Sequence, residues 1–98
     1  MNNLKNIASF EVYCDYSSGN YGVNALCFSL GGIDVYFSYK TPVAYRTIDD
    51  GLVCRVNEWG PTTGKHLNAI EPNKRERVSG TVFERKIAAA LAALDIAA

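Results

Sequence analysis

Three cysteines and one histidine are the residues of this chain best suited to binding a metal, since thiolate and imidazole are preferred zinc ligands. They are Cys14, Cys27, Cys54 and His66, and no two cysteines form the C-x-x-C pair typical of zinc sites. Each cysteine instead occupies an alternating position among apolar residues, which is typical of a buried strand residue. We therefore predict reduced thiols, no metal ion and no cofactor.

Residues 60–66, G-P-T-T-G-K-H, are similar to a phosphate-binding loop in their glycines and lysine. The glycine spacing is one residue short, and His66 stands where a Ser or Thr would hold magnesium, which argues against a nucleotide hydrolase. Thr62 or Thr63 is predicted to cap a short helix, whose free amides form a candidate anion site with Lys65 and His66. Alternatively, the threonines only cap, Lys65 is solvated and His66 packs against the sheet.

Arg46 and Arg55 form a second candidate site. A two-residue turn at Asp50-Gly51 would place the two arginines directly opposite each other on neighbouring strands. Like charges in directly opposite positions lower stability by about a few tenths of a kcal/mol. An acidic neighbour or an external anion is therefore expected beside the two arginines. A three-residue turn would remove this pairing. The acidic neighbours considered are Glu11, Asp15 and Asp34.

Aromatic side chains could anchor a protein partner or stack on bases. Trp59, the single tryptophan, follows the last predicted strand and is predicted to be part of a binding surface, while Tyr13 and Tyr36 are the better surface candidates among the tyrosines. Strand alternation places Tyr39 and Tyr45 in the core, and it places Tyr13 and Tyr36 on the polar faces of their strands.

The candidate binding residues lie on or next to predicted strands, so a β-sheet must position them. Alternating patterns and turn residues predict strands at residues 10–16, 21–30, 33–40, 43–48 and 52–57. Gly31-Gly32 predicts a two-residue hairpin, and Pro42 predicts a bend, a bulge or an edge position. In the first strand, Phe10 and Val12 are predicted on the buried face.

A short helix is predicted after the last strand, ending near Ile70 before Pro72, and residues 72–78 are predicted to be a solvated loop. Thr81 with Glu84 is predicted to form a capping box that opens a C-terminal amphipathic helix. The fold class is therefore α+β: an antiparallel meander of four to five strands packed by the C-terminal helix. The apolar stripe of that helix consists of Phe83, Ile87, Ala90, Leu91 and Leu94.

At 98 residues the chain is predicted to be a single domain, with residues 1–8 as a possible flexible tail. Ten basic and ten acidic residues leave no net charge, which argues against a strong sequence-independent DNA binder. The N-terminus lacks the apolar segment of a signal peptide, and no apolar run could span a bilayer. We expect a cytoplasmic protein that does not interact with membranes.

Three motifs carry a resemblance to a known group of proteins. They are Y-x-T-P-V-A-Y-R at residues 39–46, G-L-V-C-R-V-N-x-W at residues 51–59 and T-T-G-K-H-L-N at residues 62–68. In these motifs the chain resembles small uncharacterised proteins encoded by phages and other mobile elements. The resemblance implies such an origin, hence the cytoplasm of a host cell. By analogy with other small phage proteins, it suggests a role in binding a host component, including inhibition of CRISPR defence.

The sequence thus favours a small non-enzymatic interaction module that binds a host or viral protein, because no pair of residues around the only histidine indicates catalysis. The alternative is a domain that binds nucleic acid or a phosphorylated ligand through the helix N-terminus within residues 62–68 and through basic residues. The oligomeric state stays open. The predicted binding residues are Arg46, Arg55, Trp59, Thr62, Thr63, Lys65, His66 and Asn68, and the alternative adds Lys74 and Arg75.

Overall fold

A computed structural model of the protein describes residues 8–13 and 25–93. It confirms the α+β prediction, with one antiparallel sheet in the order β1-β2-β3-β4-β5 and two α-helices. The strands are β1 (Ala8–Val12), β2 (Leu26–Leu30), β3 (Ile33–Ser38), β4 (Thr41–Thr47) and β5 (Gly51–Cys54). The helices are α1 (Pro61–Ile70) and α2 (Gly80–Ala93), separated by a 3-10 turn (Lys74–Glu76). No helix in the described part of the chain is long and apolar enough to cross a membrane.

The two hairpins differ in how well turn composition predicted them. Leu30 pairs with Ile33, so Gly31-Gly32 is the predicted two-residue turn. Thr47, however, pairs with Gly51, so the second loop has three residues, 48–50, and the predicted two-residue turn is wrong. Gly51 has φ 68°, the left-handed conformation expected after a three-residue loop and favourable for glycine.

The chain bends where Pro42 predicted it. The register between β3 and β4 shifts at Tyr36/Phe37, and Pro42 pairs with Phe37 beyond that shift. A bulge of this kind increases the local twist and re-aims the neighbouring side chains. The extra residue is Val43 of β4, which lies in the same cluster as its neighbour Ala44, so the bulge interrupts the alternation of β4 and leaves that of β3 intact.

The sheet is packed on both faces. On one face, α2 buries Phe83 and Ala90 against Tyr45 and Val53. On the other face, α1 buries Leu67 against a second cluster. Successive strand residues point to opposite faces, so the two clusters alternate along the strands except at the bulge, where Val43 and Ala44 belong to the same cluster. The first cluster also contains Ile33 and Val35, and the second contains Val43, Ala44 and Cys54.

Several predictions about burial and capping are wrong. Phe10 and Val12 are 66% and 53% exposed, because β1 is an edge strand beyond the part of the sheet that α2 covers. The first turn of α2 is capped by the Ser79 hydroxyl, which accepts from the Val82 amide at 3.3 Å, and Thr81 lies within the helix. Gly60 is the N-cap of α1, with no side-chain cap, so neither threonine has the predicted capping role.

The predicted solvated loop at residues 72–78 also contains sheet-like pairing. Val78 donates its amide to the Cys54 carbonyl at 2.8 Å and accepts from the Val56 amide at 2.8 Å. This parallel bridge covers the outer side of the chain just after β5. Predictions for residues 1–7, for positions 14–24 (including Cys14 and Asp15) and for Leu94 lie outside the described residues.

Candidate functional site

A buried hydrogen-bonded cluster joins α1 to the end of β3. Ser38 Oγ lies 2.7 Å from His66 Nδ1 and 2.9 Å from Thr63 Oγ1. All three residues are buried, and the rings of Tyr13 and Tyr39 lie against the imidazole at centroid distances of 6.2 and 5.9 Å. Thr63 and His66 fall on the same side of α1 because residues three apart are neighbours on a helix.

Tyr39 follows Ser38 in an unusual backbone conformation. Its φ is 58°, a left-handed value that is uncommon for a residue other than glycine. The strand ends at Ser38, and the Tyr39 side chain is 48% exposed rather than in the core as alternation predicted. The turn explains this error, because Tyr39 lies in it and is no longer part of β3. Tyr45, within regular β4, is fully buried as predicted.

Arg55 is a buried residue that joins three parts of the molecule. Its Nη2 donates to Glu58 Oε1 at 2.8 Å, and its Nη1 lies 3.5 Å from Glu84 Oε2 of α2. The guanidinium carbon lies 4.8 Å from the centroid of the Trp59 ring and 5.5 Å from that of Phe83. The positive charge of Arg55 therefore interacts with carboxylates and aromatic rings of the protein itself.

The predicted pairing of the two arginines is wrong. Arg46 lies opposite Leu52 on β5 and Asp34 on β3, and it is exposed on the sheet face opposite Tyr45. Arg55 lies one residue beyond β5 and is buried. With the three-residue loop at 48–50, the partner of Arg46 is Leu52 and not Arg55, a shift of three positions that separates the two arginines.

Trp59 is held in place by its neighbours, and the residue is 43% exposed. Its backbone amide donates to Asn57 Oδ1 at 2.8 Å, and the Arg55 guanidinium lies over its ring. A tryptophan fixed in this way loses little conformational freedom when a partner binds. Its role as a binding residue stays a prediction.

Trp59 and Tyr39 line the same cleft, which has a volume of about 190 Å³. The hydroxyl-bearing residues Ser38, Thr41 and Thr63 also line it, as does the apolar Val43. We call this the aromatic cleft. Sequence analysis identified Trp59 and Thr63 but missed Ser38, Tyr39, Thr41 and Val43. The one signal near them was the Thr41-Pro42 pair, which indicates an irregularity in the pairing of β3 with β4.

The other predicted binding residues do not converge on the aromatic cleft. Lys65 and Asn68 are exposed on α1, and Thr62 is half-buried. Asn68 Oδ1 accepts a hydrogen bond from Arg77 Nη2 at 3.0 Å. His66 is fully buried and contacts two residues that line the cleft, Ser38 through its hydroxyl and Tyr39 through its ring.

A second cleft, of about 300 Å³, has a basic lining that includes Lys74 and Arg77 together with the amide side chains of Asn57 and Asn68. Arg77 uses its Nε and Nη2 atoms to bind the Glu71 carbonyl oxygen at 3.1 and 2.8 Å. We call this the basic cleft. It contains Lys74 from the alternative prediction, but Arg75 does not line it.

The described cysteines are free thiols, as predicted, and both are buried. Burial raises the pKa of Cys54 from 9.0 to about 11, and the Glu71 carboxylate adds to this shift while Arg77 opposes it. Burial is also the main cause that raises the pKa of Cys27. Neither cysteine has the low thiol pKa of a reactive nucleophile.

One protein family matches most of the chain. Its model covers residues 4–85, from before β1 into α2, and so includes every residue of both clefts. The chain belongs to DUF8033, a family of unknown function. No curated protein matches the sequence. No solved structure matches it either.

Proposed function

We propose that this member of DUF8033 is a small non-enzymatic interaction module that binds another protein through the aromatic cleft. The observation that carries the proposal is the placement of a fixed, half-exposed tryptophan beside a half-exposed tyrosine. Trp59 and Tyr39 border a cleft whose lining also contains hydroxyl groups. Tryptophan and tyrosine are enriched among the residues that contribute most to protein–protein binding.

The size and lining of the aromatic cleft favour a protein side chain as its occupant. Pockets for drug-sized ligands and cofactors are commonly about 300–1,000 Å³ in volume. At about 190 Å³ the cleft is smaller and would accept a single group with an apolar body and a polar end. The apolar part would contact Trp59 and Tyr39, and the polar end would reach the Ser38 or Thr63 hydroxyl.

The resemblance to phage and mobile-element proteins leads us to propose a host or viral protein as the partner, in the cytoplasm of the host cell. A more specific form of this proposal is inhibition of a host defence system such as CRISPR. In either form the buried His66 has a positioning role, because it orients the Ser38 hydroxyl and does not face solvent.

Affinity capture with variants of the cleft tests the proposal. Trp59→Ala removes the anchor, and Tyr39→Asn removes the second ring while keeping a residue that tolerates a positive φ. Ile48→Ala is the matched control, because Ile48 is 98% exposed on the 48–50 loop and does not line the cleft. All variants are first checked for folding by circular dichroism.

The proposal predicts that wild-type and Ile48→Ala proteins recover the same stoichiometric partner from host lysate. With that partner purified, each cleft variant should weaken binding at least about thirtyfold, corresponding to about 2 kcal/mol for a hot-spot residue. A partner that binds Trp59→Ala and wild type equally would contradict the proposal, as would the absence of any specific partner.

The basic cleft supports a second candidate function, binding of nucleic acid or a phosphorylated ligand. Lys74 and Arg77 present two positive charges beside amide groups that can donate hydrogen bonds. This function predicts that oligonucleotide or phosphopeptide binding weakens with salt and with Lys74→Ala. Binding that is unaffected by salt would reject it.

A further inference from the structure

The outer edge of β1 is exposed and carries few of the features that normally prevent edge pairing. β1 lies at the end of the sheet order, and no described strand pairs with its outer side. Its sequence, A-S-F-E-V, contains no lysine and no proline, the residues that often protect an edge strand. Phe10 and Val12 are also more than half exposed.

The hydrogen bonds of the β1–β2 hairpin show which backbone groups of β1 face outward. The Tyr13 amide donates to the Ala25 carbonyl at 3.0 Å, so position 13 bonds toward β2. Bonding alternates along an antiparallel pair, so positions 11 and 9 also bond toward β2. The N–H and C=O groups of Ala8, Phe10 and Val12 therefore face the free edge.

We propose that this edge binds a second copy of the chain, with the two β1 strands antiparallel about a two-fold axis at Phe10. In this register Phe10 pairs with Phe10 of the other copy, and Ala8 pairs with Val12. Each of these pairs exchanges outward-facing backbone hydrogen bonds. The two five-stranded sheets become one continuous sheet.

Charge selects this register over its neighbours. With the axis at Phe10, the one charged residue of β1, Glu11, lies opposite Ser9 of the other copy. A register centred on Glu11 would bring the two Glu11 carboxylates directly opposite each other, which is unfavourable. A register centred on Ser9 would leave Val12 opposite no residue of β1. The Phe10 register pairs all five residues without opposing like charges.

The apolar surface of β1 adds to this pairing. The Phe10 ring packs on Phe28 of β2 at a centroid distance of 4.8 Å, which gives each copy an aromatic pair next to the edge. In the proposed dimer the two pairs lie side by side on the same face of the shared sheet. Contact between the two Phe10 rings would reduce the exposure that they have in one copy.

Sedimentation velocity from about 5 to about 500 µM measures the dimer directly, a range that covers micromolar dissociation constants. The proposal predicts a concentration-dependent dimer for the wild-type chain. Phe10→Pro removes an outward amide that β2 does not use, so it should leave the fold intact and abolish the dimer. A wild-type chain that stays monomeric throughout this range would overturn the proposal.

Charge variants at Ser9 test the register independently of Phe10→Pro. Ser9→Lys places an ammonium opposite Glu11 of the other copy at two symmetric positions, whereas Ser9→Glu places a carboxylate there. The dissociation constant should fall about two- to thirtyfold for Ser9→Lys and rise by a similar factor for Ser9→Glu.

The opposite order of the two Ser9 variants, or no difference between them, would overturn the register. A lysine that merely protected the edge would weaken the dimer instead of strengthening it. The aromatic cleft contains no residue of β1, so either result leaves the proposed protein-binding function to be judged by its own experiment.

Discussion

Arg55 shows how one side chain can fix the position of a candidate binding residue. Its guanidinium lies over the Trp59 ring and also over the Phe83 ring of α2. Glu58 and Glu84 hold the two terminal nitrogens, although Nε is buried and has no hydrogen-bond partner. Most of the charge is thus compensated locally, so we expect Arg55 to act in positioning and not in direct anion binding.

Because Gly80 has no side chain, it leaves room for the Arg55 guanidinium. A Cβ atom at position 80 would overlap Arg55 Nη2 and lie 3.1 Å from Glu58 Oε1. We predict that Gly80→Ala lowers the free energy of unfolding by about 1–3 kcal/mol, the usual cost of overpacking. Urea denaturation monitored by circular dichroism measures this change.

Gly64→Ala is the control for Gly80→Ala, because its Cβ would meet only Asn57 Nδ2, at 3.2 Å, on an exposed side chain. Alanine is favoured over glycine within a helix, so this variant should be neutral or up to about 1 kcal/mol more stable. Equal stability changes in the two variants would contradict the proposed tight packing around Arg55.

Cys54 gives the protein a predictable response to alkaline pH. In the unfolded chain the thiol loses its proton near pH 9.0, whereas burial raises its pKa to about 11 in the folded protein. The folded state therefore holds the proton more tightly, and the free energy of unfolding decreases as pH rises above 9. The maximum slope for this group is about 1.4 kcal/mol per pH unit.

The contribution of Cys54 is measured by urea unfolding of wild type and Cys54→Ala between pH 7 and pH 11 (about four pH units). Their stability difference should be constant below pH 9 and become smaller above it. The raised pKa of Tyr45, caused mainly by burial and next by its bond to Asp50, lowers stability further in both proteins. A constant difference up to pH 11 would show that Cys54 is not buried as described.

At the scale of elements, α1 is attached to the sheet through both apolar and polar contacts. Leu67 packs on the cluster of Val43, Ala44 and Cys54, and Ser38 connects β3 to His66 and Thr63. Because these polar atoms are buried, loss of the Ser38 hydroxyl would leave two of them without that partner. The attachment of α1 therefore depends on β3 as well as on its own apolar side.

We predict that Ser38→Ala lowers the free energy of unfolding by about 1–3 kcal/mol, the cost of leaving a buried polar group unsatisfied. A double-mutant cycle with His66→Leu should show a coupling energy above about 0.5 kcal/mol between the two positions. Additive effects of the two changes would contradict a direct Ser38–His66 interaction.

The hairpin between β4 and β5 shows what limited prediction of the fold. Asp50-Gly51 correctly predicted a reversal of the chain, but the loop length depends on side-chain contacts that a dipeptide does not reveal. The Tyr45 hydroxyl donates to Asp50 Oδ2 at 2.6 Å, and the Asp50 amide donates to Thr47 Oγ1 at 3.0 Å. These contacts hold Asp50 in the loop and set the register by which Arg46 and Arg55 are separated.

The strands and helices themselves were largely predictable, because period-two and helical patterns record which face is buried. The aromatic cleft was not. Its lining combines residues from the end of β3, the start of β4, the segment before α1 and α1 itself. The bulge that adds Val43 to β4 and the positive φ of Tyr39 are local backbone features of this lining that alternation does not indicate.

At the scale of the whole molecule, the sheet has a covered part and an open part. Both helices pack over β3, β4 and β5, whereas the outer strand β1 leaves Phe10 and Val12 exposed. The aromatic cleft lies at the β3–β4 end, away from the loop at residues 48–50. This layout gives the protein two separate surfaces, one proposed for a second copy and one for a different protein.

Trp59 allows the most direct test of partner binding at the aromatic cleft, because it is the single tryptophan of the chain. Incorporation of 5-fluorotryptophan gives one fluorine NMR signal that reports on this cleft. Titration with the captured partner should shift or broaden that signal in proportion to complex formation, because the partner covers the ring. An unchanged Trp59 signal in a sample in which the complex has fully formed would contradict binding at the aromatic cleft.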